Sequence, residues 1–97
     1  MEKKIDLIKN HIKENITNDE IEYEHSGLLN KFKITRQGHS LWIYIRDELV
    51  DDSDEETLLI IFKKYHVVET FNKLKVSKYF NLNENGLKEV DDKFALR

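Results

Sequence analysis

The feature that most constrains the fold is an alternating stretch at residues 31–46, KFKITRQGHSLWIYIR. Strict alternation of apolar and polar residues over several positions is typical of half-buried β-strands. A glycine at the first position of a two-residue loop suits a type II′ turn, which fixes the strand pairing. With Gly38 and His39 as the loop, Thr35 lies opposite Trp42. The stretch therefore predicts an antiparallel hairpin with a defined register.

The two faces of this predicted hairpin differ in chemistry. The first face is apolar and carries Phe32, Ile34, Leu41, Ile43 and Ile45. The second face mixes cations with aromatic rings and carries Lys31, Lys33, Thr35, Trp42, Tyr44 and Arg46. A register shift of one residue would mix the two sets, so the segregation supports the pairing. We expect the apolar face to pack into the core.

The segments before the hairpin predict one more helix and one more strand. Isoleucines spaced by three and four residues indicate an amphipathic N-terminal helix, with Ile5, Ile8, Ile12 and Ile16 on one stripe. Ile21, Tyr23 and His25 then alternate with glutamates, which indicates a strand. The length suits a single domain over residues 1–97. We predict an α+β fold with an N-terminal helix, a three-stranded antiparallel meander and a helical C-terminal half.

The segment after the hairpin predicts two helices. Ser53 and Glu56 have the spacing of a capping box and precede the apolar run TLLIIF, so we expect Ser53 to cap a helix. The apolar stripe that begins at Leu58 does not align with the one that begins at Val67, which predicts a break near His66. Because a short apolar run is ambiguous, a buried strand over TLLIIF remains an alternative.

Residues 76–92 allow two interpretations, helices or a hairpin. The stretch KLKVSKYFNLNENGLKEVDD resembles a helix-turn-helix core, with apolar residues at Val76, Phe80, Leu82, Leu87 and Val90. Ser77 would allow the two helices to approach, and Asn81 would occupy the turn. In the alternative, Asn85-Gly86 turns a hairpin. That loop places Leu82 opposite Glu89, so we prefer the helical interpretation. The resemblance implies DNA binding, but carboxylates dominate the would-be recognition helix and disfavour contact with phosphates.

An acidic segment, DELVDDSDEE at residues 47–56, contains seven carboxylates and no cation. Asp54, Glu55 and Glu56 suit the first turn of a helix, where the dipole favours negative charge. The remaining four, Asp47, Glu48, Asp51 and Asp52, form a candidate acidic surface for a basic partner. The segment lacks the alternating oxygen ligands and the glycine of a calcium loop. We therefore predict no metal site.

Several kinds of chemistry find no support in the sequence. The chain has no cysteine, which excludes disulfides, thiolate metal sites and a cysteine nucleophile. Its four histidines are widely spaced, at His11, His25, His39 and His66. No nucleotide-binding loop or nucleophile motif is present. We predict neither an enzyme nor a cofactor. The longest apolar run, Leu58–Phe62, is too short to cross a membrane. With no signal-peptide pattern, we expect a cytoplasmic protein that does not contact membranes.

The cationic and aromatic face of the hairpin is the best candidate binding site. Its residues are Lys31, Lys33, Trp42, Tyr44 and Arg46. Aromatic rings among cations occur both in protein-binding hot spots and in surfaces that bind nucleic acid. A third interpretation is that a helix covers the two aromatics. No feature of the sequence specifies an oligomeric state.

We predict a small interaction module that is not an enzyme and that regulates or inhibits a macromolecular partner, expected to be a protein. The alternative is a nucleic-acid-binding protein that uses this face or the C-terminal helices. The predicted order αβββα is shared with double-stranded-RNA-binding domains, but the acidic segment before the last helix argues against that comparison.

Overall fold

One sheet of five strands organises the chain. The computed structural model describes residues 2–15, 20–36, 38–73 and 75–90. The elements are α1 (Glu2–Asn15), β1 (Glu20–Ser26), β2 (Leu29–Arg36), β3 (His39–Arg46), α2 (Asp47–Asp52), α3 (Glu55–Lys64), α4 (Val67–Asn72), β4 (Lys78–Asn83) and β5 (Gly86–Val90). The strands lie in the order β1-β2-β3-β4-β5. Neighbouring strands are antiparallel except β3 and β4, which are parallel and are connected by the crossover α2–α4.

The predicted fold class is wrong in its C-terminal half. The N-terminal helix is present, but the sheet is a five-stranded mixed sheet and not a three-stranded meander. Residues 78–90 form a hairpin where we predicted helices, so the resemblance to a helix-turn-helix fails. The chain reverses at Glu84 and Asn85, which places Leu82 opposite Leu87. The apolar pair removes the mismatch that argued against a hairpin. Residues 91 and 92 of the predicted helix lie outside the described residues.

The register predicted for β2 and β3 is also wrong, by two residues. Arg36 pairs with His39, and Gly38, with φ of 84°, occupies the second position of the loop. Lys33 therefore lies opposite Trp42, where Thr35 was expected. Because side chains alternate with a period of two, a shift of two residues leaves every side chain on its predicted face.

The predicted break between helices is confirmed. α3 ends at Lys64 and α4 begins at Val67, and His66 between them has a left-handed backbone with φ of 56°. TLLIIF lies inside α3, so the alternative of a buried strand is wrong. α1 places Ile5, Ile8 and Ile12 in the core as predicted, while Ile16 lies outside the described residues.

The hydrophobic core lies between the four helices and one face of the sheet. Its buried members are Ile5, Ile8, Ile12, Phe32, Ile34, Leu41, Ile43, Ile45, Val50, Leu58, Phe62, Val67, Phe71, Phe80 and Leu82. Every helix contributes to this single cluster, so all four pack on the same face of the sheet. We call the opposite face the outer face. It is the one that carries the candidate binding residues.

Candidate functional site

Strand pairing brings the candidate binding residues together on the outer face. Lys31 lies opposite Tyr44 and Lys33 lies opposite Trp42, and each pair shares this face. The parallel pairing of β3 with β4 adds Tyr79, which lies opposite Trp42. Arg46 ends β3 on the same side and is exposed. Each described helix packs its buried side chains into the core on the other face of the sheet.

Three rings on β3 and β4 form a compact group, which we call the aromatic cluster: Trp42, Tyr44 and Tyr79. Their centroids are 6.3 Å (Trp42 to Tyr44), 5.8 Å (Trp42 to Tyr79) and 6.2 Å (Tyr44 to Tyr79) apart, and the ring planes lie within 6–17° of parallel. In a column of three rings the outer two would be about twice as far apart as neighbours, so the cluster is triangular. Tyr44 is only 3% exposed, whereas Trp42 and Tyr79 are half-buried. Trp42 and Tyr79 are therefore the members that a partner can reach.

A cation lies over the cluster. The Lys33 Nζ atom is 5.1 Å from the centroid of the Trp42 ring, within the range of a cation–π interaction. It is also 4.0 Å from a carboxylate oxygen of Glu22 on β1. The contact with Trp42 depends on the observed register, because the predicted register placed Thr35 at that position. Lys33 thus links the aromatic cluster to the charged side of the outer face.

The β1 side of the outer face carries charges of both signs. Glu20, Glu22 and Glu24 are exposed on β1 and lie opposite Thr35, Lys33 and Lys31 on β2. Opposite charges across neighbouring strands stabilise the pairing, and charges on an edge strand such as β1 discourage further strand addition. The outer face therefore has an aromatic zone on β3 and β4 and a zone of mixed charge on β1 and β2.

Sequence reasoning missed Tyr79 because residues 76–92 were interpreted as helices. The signal that identifies this residue is the alternation in KYFNLN, where Phe80 and Leu82 point into the core. The same alternation sends Tyr79 and Asn81 to the outer face. No local pattern, however, indicates that this strand lies parallel to β3.

The structure divides the predicted acidic surface into separate roles. Asp47 is half-buried, and both of its carboxylate oxygens lie 3.0 Å from His25 Nε2. The side-chain amide of Asn30 donates to Asp47 Oδ1 at 2.8 Å. Asp47 therefore joins the beginning of α2 to β1 and β2.

Asn30 is the centre of this polar network. It is fully buried, it accepts a hydrogen bond from the Tyr23 hydroxyl at 2.5 Å, and it donates to the Ile45 carbonyl at 3.1 Å. Burial and the nearby Asp47 carboxylate raise the pKa of Tyr23 above its ordinary value. A buried amide must have its hydrogen bonds satisfied, and this one has three partners on three elements.

The cap of α3 is Asp54 and not the predicted Ser53. The Asp54 side chain accepts a hydrogen bond from the backbone N–H of Thr57 at 2.7 Å. That bond lowers the pKa of the Asp54 carboxyl below its ordinary value. Ser53 instead follows the last residue of α2, and its N–H donates to the Leu49 carbonyl at 3.2 Å. The capping prediction was therefore one residue early.

The other predicted acidic residues lie on the exposed side of α2. Lys4 of α1 donates to the backbone carbonyls of Val50 at 2.8 Å and Asp51 at 3.3 Å, so Asp51 is contacted through its main chain. Glu48 and Asp52 are exposed, and they are four residues apart, which places them on one side of the helix. These two carboxylates line a groove that sequence reasoning did not foresee.

This groove, which we call the end groove, has a volume of about 450 Å³ and lies at the carboxyl ends of β3 and β4. α2 lines it with Glu48, Leu49 and Asp52. The strands and the β4–β5 turn contribute residues that include Tyr44, Arg46, Asn81 and Glu84. The sequence analysis did not identify the groove, because α2 was not predicted and a hairpin at residues 76–92 was only the less favoured alternative. Tyr44 and Arg46 belong both to the end groove and to the outer face.

Within residues 2–15, 20–36, 38–73 and 75–90, no three His, Asp or Glu side chains are grouped so as to hold a metal ion. In that same part of the chain no helix is long and apolar enough to cross a membrane. Comparison with protein-family models, with curated proteins and with solved structures found no match.

Proposed function

We propose that this chain is a binding module, not an enzyme, that docks a protein partner on its outer face and thereby regulates or inhibits that partner. The observation that carries the proposal is the aromatic cluster, with Trp42 and Tyr79 half-buried on the two central strands. A core of one aromatic cluster beside polar and charged residues matches the composition of protein-binding hot spots.

The distribution of charge favours a protein over a nucleic acid. Glu20, Glu22 and Glu24 lie beside the lysines of β2, so Lys31 and Lys33 do not form a purely cationic strip. The whole chain has a formal charge of −3. Binding to a phosphate backbone depends on an excess of cations, whereas a protein partner can match charges of both signs.

Nucleic acid is retained as a second candidate because of the same rings. Sheet-borne aromatic side chains that stack on bases, with nearby lysines for phosphate, are a common mode of binding single-stranded RNA and DNA. The version of this candidate that relied on C-terminal helices is not retained, since residues 78–90 form a hairpin.

The test is capture of partners from native cell extract with the tagged chain, the variants Trp42→Ala and Tyr79→Ala, and the control Leu28→Ala. Leu28 is a large exposed apolar residue (69%) in the β1–β2 turn, outside the aromatic cluster. We expect both cluster variants to weaken binding of the captured protein by about 2 kcal/mol or more, as central aromatic anchors do. Leu28→Ala should bind as the wild type does.

Two further readouts decide between the candidates. The captured partner, once purified, should protect Trp42 fluorescence from acrylamide if it covers the cluster. Capture that is abolished by nuclease treatment would favour the nucleic-acid candidate. Capture that survives both Trp42→Ala and Tyr79→Ala, with circular dichroism showing that both variants are folded, would contradict docking on the outer face.

A further inference from the structure

We propose that the outer face also binds a second copy of this chain, so that two sheets pack face to face around a two-fold axis that runs along β3. The occupant is the chain itself, so this dimer does not depend on the proposed function. Three observations lead to it: the order of charges across the sheet, the symmetry that this order permits and the aromatic cluster at its centre.

The outer face changes in character from one edge of the sheet to the other. β1 carries exposed glutamates, among them Glu22 and Glu24, and β2 carries lysines. The aromatic cluster lies on β3 and β4. β5, at the opposite edge, carries the exposed Lys88 and the half-buried Val90, and Val90 lies opposite Tyr79. An acidic edge and a basic edge therefore flank an aromatic centre.

This order of charges selects one symmetry for a pair of packed sheets. Sheets that pack face to face with aligned strands keep their strand directions within about 30° of each other. The two-fold axis of such a pair lies either along the strands or across them. An axis across the strands would place β1 against β1 of the second copy, so that glutamates face glutamates. An axis along β3 instead places β1 of each copy against β5 of the other, and β2 against β4.

Strand pairing shows which charges meet under this symmetry. One row across the five strands consists of Glu24, Lys31, Tyr44, Asn81 and Lys88. A rotation about β3 keeps each row at its own height, so Glu24 of one copy meets Lys88 of the other. Because a two-fold contact is isologous, this pair of unlike charges forms twice, once at each end of the row. The two pairs fix the register and the orientation of the copies.

The neighbouring row provides the apolar centre of the interface. Its members are Glu22, Lys33, Trp42, Tyr79 and Val90. Trp42 lies on the axis and meets Trp42 of the second copy, and Lys33 faces Tyr79 of the second copy, where a cation can lie over the ring. An aromatic centre with charged pairs at its margin is the usual anatomy of a protein interface.

The size of the face sets the strength of the dimer. Five strands spaced about 4.8 Å apart make the face about 24 Å wide, and its paired length is about 20 Å. The area is therefore about 500 Å² for each copy and about 1,000 Å² in total, which is at the lower limit for specific interfaces. We expect a weak, reversible dimer with a dissociation constant between roughly 10 μM and 1 mM.

Arg46 opposes the dimer and gives it a distinctive sign. This residue ends β3 on the outer face and is exposed, so the axis brings the two Arg46 side chains towards each other. The long side chain can extend past the end of the strand into solvent, which reduces the repulsion without removing it. Arg46→Gln should therefore strengthen the dimer severalfold.

Sedimentation equilibrium of the full-length chain, from about 5 μM to about 1 mM, measures the dissociation constant. We expect a monomer–dimer equilibrium that Trp42→Ala and Tyr79→Ala each weaken at least tenfold, as loss of a central aromatic anchor does. The control Leu28→Ala, in the β1–β2 turn, should dimerise as the wild type does. Circular dichroism shows whether each variant is folded.

Exchange of the paired charges tests the symmetry itself. Glu24→Lys and Lys88→Glu each place like charges at both contacts, so each should weaken self-association at least fivefold. Mixed in equal amounts, the two variants should form a heterodimer about as strong as the wild-type dimer, because both contacts again join unlike charges. Glu24 and Lys88 are four strand spacings apart, about 19 Å, so no contact within one chain explains this rescue. The controls Glu14→Lys and Lys13→Glu make the same changes in net charge on the exposed side of α1 and should leave the dissociation constant unchanged.

Several outcomes contradict the dimer. A chain that is monomeric at every concentration would overturn the proposal. So would a dimer that the folded variant Trp42→Ala leaves intact, or charge variants that mixing does not rescue. If the chain is monomeric but capture from extract depends on Trp42 and Tyr79, the proposed function stands and the dimer falls. If both stand, the captured protein competes with the second copy, and adding it should convert the dimer into a complex that contains one copy of this chain.

Discussion

Replacing Asn30 by alanine should destabilise the domain far more than a typical asparagine substitution. The amide is fully buried and bridges Tyr23, Asp47 and the Ile45 carbonyl across β1, β2 and β3 to the beginning of α2. Alanine supplies none of these bonds and leaves a small cavity. The expected loss has two parts, the bonds that disappear and the polar groups that remain without them.

The magnitude follows from the partners. A hydrogen bond to a charged group such as Asp47 contributes about 1.5–3 kcal/mol, and each of the two neutral bonds contributes about 0.5–1.5 kcal/mol. Asp47 keeps its contact with His25, and the half-buried Tyr23 can turn its hydroxyl toward water, so part of the loss is recovered. We therefore expect Asn30→Ala to lower the free energy of unfolding by about 3 kcal/mol, against a total of roughly 5–15 kcal/mol for a small domain.

Urea denaturation followed by Trp42 fluorescence and by circular dichroism measures this loss. The control Asn10→Ala, on the exposed side of α1, should change the free energy of unfolding by no more than roughly 0.5 kcal/mol, toward greater stability. A double-mutant cycle with Tyr23→Phe should give a favourable coupling energy. A loss below about 1 kcal/mol for Asn30→Ala, with no coupling to Tyr23, would refute a structural role for the network.

The isosteric variant Asn30→Asp separates charge from volume. It places a second carboxyl group beside Asp47 in a buried site, so burial and the like charge raise the pKa of the introduced group in the folded state. A raised pKa means that the folded state binds the proton more tightly than the unfolded state. The destabilisation should therefore be largest near pH 7 and should shrink as the pH falls toward the unfolded-state pKa.

Two smaller predictions concern the helices of the crossover. Asp54→Ala should lower the urea midpoint more than Ser53→Ala, because only Asp54 accepts the Thr57 N–H. Because the pKa of Asp54 is lowered in the folded state, the greater stability of the wild type is present above the unfolded-state pKa and disappears as the pH falls through the folded-state pKa. Equal urea midpoints for the two variants at neutral pH would contradict the assignment of Asp54 as the cap. His66→Gly should stabilise the domain by about 1 kcal/mol, because glycine adopts the left-handed backbone at this position without a Cβ clash, and a loss of stability on thermal unfolding would show that the contact with Glu69 matters more.

Both hairpins show how far local patterns predict the fold. In each case we placed the two-residue loop one position too late: Gly38 occupies the second loop position, and Gly86, with φ of 143°, begins β5 after the loop. A glycine with positive φ suits several positions around a turn, so its presence indicates a reversal of the chain without fixing the register. The first hairpin survived this error because alternation alone assigns its faces. The second did not, because the misplaced loop set Leu82 opposite Glu89 and Asn81 opposite Val90, and the hairpin was rejected on those two pairs.

In the candidate site, too, local patterns predicted the faces of the strands but not their long-range pairing. Lys31, Lys33, Trp42, Tyr44 and Arg46 were placed on one face correctly, since a period of two is a local property of a strand. Tyr79 required knowledge that β4 lies parallel to β3, which depends on a crossover and on no nearby residue. The roles of the acidic segment also depend on contacts with residues that are distant in the sequence.

Within the acidic segment, the sequence could not show that Asp47 meets His25 and Asn30, which lie about twenty positions earlier. Ser53 and Asp54 are both good capping residues, and the box spacing selected the wrong one. Ser53 follows the last residue of α2, a short helix that no periodic pattern predicted, and the next residue, Asp54, caps α3.

The parallel pairing of β3 with β4 also bears on how the chain folds. β1, β2 and β3 are joined by tight turns, and contacts between such neighbours form early because little chain entropy is lost. Leu41 and Lys78 become neighbours only after the whole crossover has been closed into a long loop. Until then β3 is an edge strand, and the Trp42 ring has no Tyr79 to stack on. The change in Trp42 fluorescence during refolding should thus follow closure of the longest loop in the sheet, and a chain that has formed only its N-terminal strands has no complete surface to offer a partner.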